Sequence, residues 1–203
     1  LQGDNRKDHL DIGCVLNNQL LNKFFTKHLQ ELWFCNVVTE QIKVNIPTFY
    51  HKATLESAFY NSRQFESISC LSTIEHIGYD NSHYGSVDTP IYYEPNIVPL
   101  MDSINSLVRI TAPSGRLIIS VPYGFREVQC HPNTGKGSSQ IFSFTELDQA
   151  LKLLKDLGWL AKLEVYELTS KGWMMTDPTL CIRRYGDGVP AAAAVAFLTA
   201  ERA

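Results

Sequence analysis

No stretch of this 203-residue chain approaches the roughly 18–20 consecutive apolar residues that a membrane-spanning helix requires. The longest small-residue run, Ala191 to Ala194, is far too short. Basic residues are not in excess either: 18 Lys and Arg stand against 21 Asp and Glu, a net charge of −3. That balance leaves no electrostatic footprint for nucleic acid. The five cysteines, Cys14, Cys35, Cys70, Cys130 and Cys181, are odd in number and widely spaced. They make neither a disulfide framework nor a Cys-x-x-Cys zinc ribbon, so a reducing, cytoplasmic setting is expected. A Gly-x-Ser-x-Gly nucleophile elbow is missing too. So are internal repeats and low-complexity tracts.

What the chain does have is ordinary globular composition, 44% hydrophobic and 19% charged, and enough length for a single domain over 1–203. One stretch organises it: Phe65 to Gly85, FESISCLSTIEHIGYDNSHYG. An apolar run of strand length leads into a loop carrying Glu75, His76, Tyr79, Asp80, His83 and Tyr84. In an open α/β sheet, ligands bind just beyond the carboxyl ends of the strands, so chemistry is expected over Ser72 to Gly85.

The rest alternates between strands and helices. His9 to Cys14 reads as a first strand ending at Gly13. Asn17 and Asn18 suit a helix start, and Leu20, Leu21, Phe24, Phe25, His28 and Leu29 make a helical stripe. Strands follow at Leu32 to Val38 and Thr48 to His51, then a short helix within Thr54 to Arg63. Beyond the organising stretch, Asp88 to Pro95 is extended, and Ile97 to Val108 keeps helical spacing. Pro113-Ser114-Gly115 reads as a turn before the β-branched strand Arg116 to Val121. Residues 125–142 read as a long polar loop. Ser143 and Glu146 form a capping box for a helix that Gly158 closes. Leu160 to Leu168 and Val189 to Glu201 are closing strands, an antiparallel hairpin at one edge, with 170–189 as loop between them. Trp173, Met174 and Met175 in that loop read as core or rim packing. The fold class is therefore α/β: a Rossmann-like doubly wound, mostly parallel sheet of about seven strands with an antiparallel closing strand.

The order LDIGC, ISCLSTIEHIG, PSGRLIISVPYG and FTELDQALKLLKDLGW resembles the class I S-adenosylmethionine-dependent methyltransferases. The Ser72-Thr73-Ile74-Glu75-His76-Ile77-Gly78 loop with Tyr84-Gly85 is similar to bacterial members found with surface-glycan synthesis. The resemblance implies S-adenosylmethionine as cofactor and methyl transfer to an oxygen or nitrogen of a small-molecule or glycan-like acceptor. It implies that Asp11 holds the methionine end and that Gly13 lets the backbone pass close to the cofactor. It places Asn36, with Glu40 nearby, at the ribose, Thr54 at the adenine, and Leu71 and Ser72 along the cofactor. For such a transfer His76, with an ordinary pKa near 6.5, suits the base, Glu75 is expected to orient it or to bind acceptor hydroxyls, and Tyr123, just after the Arg116 to Val121 strand, to border the acceptor. The family's Gly-x-Gly is replaced by Cys14-Val15-Leu16-Asn17-Asn18. The bulky Val15 and Leu16 favour an alternative, a non-catalytic binding protein that keeps the fold and has lost cofactor binding. Asn17 and Asn18 offer left-handed backbone in partial compensation.

Two further constellations are weaker. His51, His76, His83 and His131 with Glu75 and Asp80 match no zinc spacing, and no metal is assigned. His131 to Gly137, HPNTGKG, lacks the Ser or Thr of a P-loop and reads as part of an active-site lid.

Overall fold

The computed structural model describes residues 7–53, 55, 63–79, 99–131, 133, 135–188 and 191–202. Its centre is a sheet of eight strands. Four parallel strands form one half: β1 (Lys7–Ile12), β2 (Leu29–Asn36), β3 (Thr48–Lys52) and β4 (Phe65–Leu71). Next to β4 runs β5 (Thr111–Pro122), also parallel. A hairpin of β6 (Glu127–Cys130) and β7 (Gly137–Ile141) follows outside the sheet. Then come β8 (Trp159–Thr169), β9 (Gly172–Thr176) and β10 (Ala194–Arg202), which give the order β3-β2-β1-β4-β5-β10-β8-β9. The Rossmann-like reading thus holds: β10 runs antiparallel to both its neighbours, and β9 antiparallel to β8.

The two faces of β2 show why the sheet is wound on both sides. Leu32 and Phe34 pack with Phe25 of α1 (Asn22–His28). Trp33 and Cys35 point the other way, into the larger core. That core takes its helical side from α2 (Pro99–Ile110) and α3 (Phe144–Asp156), through Leu100, Ile104, Leu107, Leu147, Ala150 and Leu154. Full burial of each large apolar side chain contributes roughly 1.5–3 kcal/mol. The capping box at Ser143 and Glu146 starts α3 as the sequence predicts. Gly158, at φ +83°, follows its end.

Four expectations need correction. The first helix is short: Gln19–Leu21 is a 3-10 turn capped by the Asn18 side chain, and α1 spans seven residues. Leu20 (82% exposed) and Phe24 (58%) consequently lie outside the core. Pro113-Ser114-Gly115 is not a turn before β5 but an excursion within it. The pairing jumps from Phe65↔Thr111 to Ser67↔Arg116, and a Cβ on Gly115 would meet Thr111 Cγ2 at 2.4 Å. Residues 125–142 are no open loop, because they carry the β6–β7 hairpin. Lastly, the closing strands are not an edge hairpin. β10 lies between β5 and β8, and the edge is β9, where the sequence suggests loop. Trp173, Met174 and Met175 are therefore exposed edge residues and not core. The helix expected within Thr54 to Arg63 and the extended stretch Asp88 to Pro95 lie largely or wholly outside the described residues.

Candidate active site at the carboxyl ends of the parallel strands

Strands β1, β2, β4 and β5 run in one direction, so Ile12, Asn36, Leu71 and Pro122 end at one edge of the sheet. The chain leaves β1 through Gly13 (φ +91°) and Cys14 (φ +59°), and leaves β4 through Ser72 (φ +44°). Cys14 and Ser72 are the non-glycine residues with left-handed backbone among those described, and both sit here. Such conformations cost about 1–3 kcal/mol each and cluster where function requires them. Asn17 and Asn18, expected to take that role, do not. Asn18 caps the 3-10 turn, and Asn17 accepts from Lys43 N and donates to the Gln41 carbonyl.

Asp11 is fully buried, and both its oxygens are engaged. Oδ1 accepts from the Ser69 hydroxyl at 2.7 Å, and Oδ2 accepts from Leu16 N–H at 2.7 Å. Burial pushes its carboxyl up to about 7, against the pull of these two bonds. Asp11 thus braces the Gly13–Leu16 turn from beneath. The network continues downward: His9 Nε2 lies 2.9 Å from Ser69 Oγ, and Nδ1 bonds to Ser67 Oγ. Burial drives the His9 imidazole down to about 4, so it stays neutral. His9, Ser67 and Ser69 belong to no motif; their signal in the sequence is a period of two, polar residues alternating with Leu10 and Ile12 on β1 and with Ile68 and Cys70 on β4.

At the end of β2, Asn36 Nδ2 donates to Glu40 Oε1 at 3.0 Å, and Asn17 Nδ2 reaches Glu40 Oε2 at 3.5 Å. Asn36 therefore presents a carboxylate to the strand edge and is itself held by the bond from Val37 N–H to its Oδ1. Thr73 stands over Gly13. Its hydroxyl bonds to the Ile12 and Leu71 carbonyls, and a Cβ on Gly13 would come within 2.0 Å of it. Val15 is half-exposed at 49%.

The 3-10 turn Ile74–His76 carries the remaining candidates. Glu75 is buried, its Oε2 lacks a hydrogen-bond partner among the described residues, and burial raises it to about 8. The carboxyl is hence neutral at pH 7. His76 Nδ1 lies 2.8 Å from the Ser138 carbonyl of β7. A carbonyl only accepts, so the proton sits on Nδ1 and Nε2 is the basic nitrogen. The same bond clips the β6–β7 hairpin to the site, where the sequence suggests a lid. Tyr123, expected beside the acceptor, is buried with its hydroxyl donating to the Pro178 carbonyl. Burial raises it to about 12, so its role here is to anchor the segment around Pro178.

The structure thus brings together Asp11, Gly13, Asn36, Leu71, Ser72, Glu75 and His76 on one edge. Thr54, Asp80, His83 and Tyr84 lie outside the described residues. His51 stacks on Trp33, and His131 belongs to the turn between β6 and β7. Among the described residues no three His, Cys, Asp or Glu side chains converge to hold a metal. Away from this edge, a depression of about 500 Å³ lies on the sheet face, among Tyr166, Trp173, Val195 and Phe197.

No family model matches the chain, and no curated protein matches it. Solved structures do. A SAM-dependent methyltransferase from Methanosarcina mazei is 12% identical, with TM-score 0.57 over 98% of this chain and 93% of that one. The 1,6-didemethyltoxoflavin-N1-methyltransferase of Burkholderia thailandensis, bound to 1,6-didemethyltoxoflavin and S-adenosylhomocysteine, is also 12% identical. Its TM-score is 0.54, over 97% of this chain and 71% of that one. A glycopeptide N-methyltransferase matches at 12% identity and TM-score 0.51, over 99% and 85%. At such identities the shared property is the fold.

Proposed function

We propose that the chain, built on a fold shared with these methyltransferases, binds S-adenosylmethionine at the carboxyl edge of β1, β2 and β4. There it transfers the methyl group to an oxygen or nitrogen of a small-molecule or glycan-like acceptor. The observation that carries this reading is the meeting of left-handed Cys14 and Ser72 with the Asn36–Glu40 pair at one strand edge. A carboxylate held by an amide suits a ribose diol, which has two hydroxyls to donate. Backbone groups of Gly13–Leu16, braced by Asp11, suit the methionine end. Asp11 itself is enclosed, so its part is positioning. Leu71 and Ser72 border the cofactor.

Bound there, S-adenosylmethionine supplies an electrophilic sulfonium methyl. The chain's own residues supply geometry and a proton acceptor. His76 Nε2 takes the acceptor's proton, with the ring held by the Ser138 carbonyl. Glu75, neutral beneath it, fixes the turn that presents His76. The working place is the cytoplasm, in keeping with five cysteines that are odd in number and widely spaced.

A second reading, a non-catalytic binding protein on this fold, draws on the Thr73 side chain over Gly13 and on half-exposed Val15. Methyl-labelled S-adenosylmethionine, incubated with a panel of sugars, phenols and amines, separates the two. Label in an acceptor, lost in His76→Ala, supports catalysis. No S-adenosylhomocysteine binding, and no transfer to any acceptor, favours the second reading.

A further inference from the structure

We propose that two copies of this chain join through β9, extending both sheets into one continuous antiparallel sheet across a two-fold axis at Met174. β9 ends the sheet, and among the described residues nothing pairs with its outer side. Its sequence, GWMMT, holds no charge, no proline and no bulge. The opposite edge strand, β3, is preceded by Pro47 and ends on Lys52, devices that ordinarily discourage edge pairing. Trp173, Met174 and Met175 are 51%, 48% and 66% exposed.

Backbone parity restricts the register in which a second copy can pair. Ser170 and Lys171 alone separate Thr169 from Gly172, which pair in the ladder. A two-residue turn requires that closing pair to exchange both hydrogen bonds. Alternation then commits Met174 and Thr176 to β8, opposite Glu167 and Val165. Trp173 and Met175 are left with their N–H and C=O groups turned outward. An antiparallel second copy satisfies these groups only where outward residues meet outward residues. Registers centred on Trp173, Met174 or Met175 meet that condition, and the one centred on Met174 pairs all of Gly172–Thr176.

In that register Trp173 of each copy lies opposite Met175 of the other, and the two exchange backbone bonds. Their side chains share the face that carries Tyr166 and Phe197. The contact is thus indole against thioether, a favourable pairing, and it continues the apolar depression across the dyad. Met174 faces its own copy as the non-hydrogen-bonded pair, where Cα atoms approach to about 4.5 Å.

Sedimentation equilibrium and a designed crosslink test this. Wild type should sediment as a dimer. Met175→Pro removes one outward N–H per copy without touching the β8 ladder, and should weaken the dimer by more than about tenfold, with the thermal midpoint unchanged at dilutions where both proteins are monomers. In a Cys130→Ser background, Met174→Cys should form an intermolecular disulfide on mild oxidation, and Met175→Cys should not. The crosslink arm remains decisive if the proline variant fails to fold. A monomeric wild type, a dimer indifferent to Met175→Pro, or equal crosslinking at 174 and 175 overturns the proposal.

Discussion

Replacing Asp11 by alanine should damage the fold before it damages any binding. The carboxylate is fully buried and holds Leu16 N–H and Ser69 Oγ, each at 2.7 Å. Alanine leaves Leu16 N–H enclosed without an acceptor, at about 1–3 kcal/mol. Ser69 retains His9 Nε2 at 2.9 Å, so its loss is smaller. With a small void added, the sum is about 2–4 kcal/mol, a shift of about 1 M in a urea midpoint. Asp11→Asn should cost less than about 1 kcal/mol. Its oxygen can accept from Leu16 N–H, and its amide can donate to Ser69, which then donates to His9. The pH dependence separates the two further. The folded pKa of Asp11, about 7, lies above its ordinary 3.8, so the folded chain holds that proton more tightly. The associated stability is complete below about pH 4 and declines toward pH 7, by at most about 1.4 kcal/mol per unit. Relative to Asp11→Asn, wild type should therefore fare best at pH 5 and worst at pH 8. Urea titrations of all three proteins over that range read this directly. An alanine variant within 0.5 kcal/mol of wild type, or an asparagine variant as damaged as alanine, would refute the bracing role.

Glu75→Gln should follow the same sign over a higher window, because the Glu75 pKa of about 8 stands above 4.5. Urea midpoints measured from pH 5 to 9 should show the variant gaining on wild type up to about pH 8 and then running parallel, while parallel curves throughout would place an ionised carboxylate there. His76→Ala should reduce methyl transfer by about 10²–10⁴-fold and leave S-adenosylhomocysteine affinity within a few-fold. A loss of thermal stability with undiminished turnover would make the Ser138 contact its whole role. Glu40→Ala should weaken cofactor binding by about tenfold or more at unchanged stability, as expected for one charge-assisted pair at a half-exposed site. Equal affinities by calorimetry would remove Glu40 from the ribose.

The α/β class and most of the elements were legible because the apolar periods are clean. LDI, RLII and the FTELDQALKLL stripe each bury one face or stripe, and β1, β5 and α3 lie where those patterns put them. β9 was hidden because Trp173, Met174 and Met175 form an unbroken apolar run with no alternation to mark an edge. The β6–β7 hairpin was hidden because REVQC and KGSSQ are polar and are held by backbone pairing and His76. At the site, the positions of Asp11 near the end of β1 and of Glu75 and His76 beyond β4 followed from strand direction alone. What they do did not follow. Asp11 reads as a ligand until Ser69, 58 residues away, claims one of its oxygens. Tyr123 reads as an acceptor wall until Pro178, 55 residues on, takes its hydroxyl. Long-range partners decide whether a polar side chain faces a ligand or the core, and no local pattern encodes them.

Calorimetric titration of the wild-type chain with S-adenosylhomocysteine, at two temperatures so that a vanishing enthalpy at one does not hide binding, tests the central claim most directly. The account predicts saturable one-to-one binding that Glu40→Ala weakens and His76→Ala leaves nearly intact. Absence of heat at both temperatures, with no shift in thermal midpoint at millimolar ligand, would contradict it.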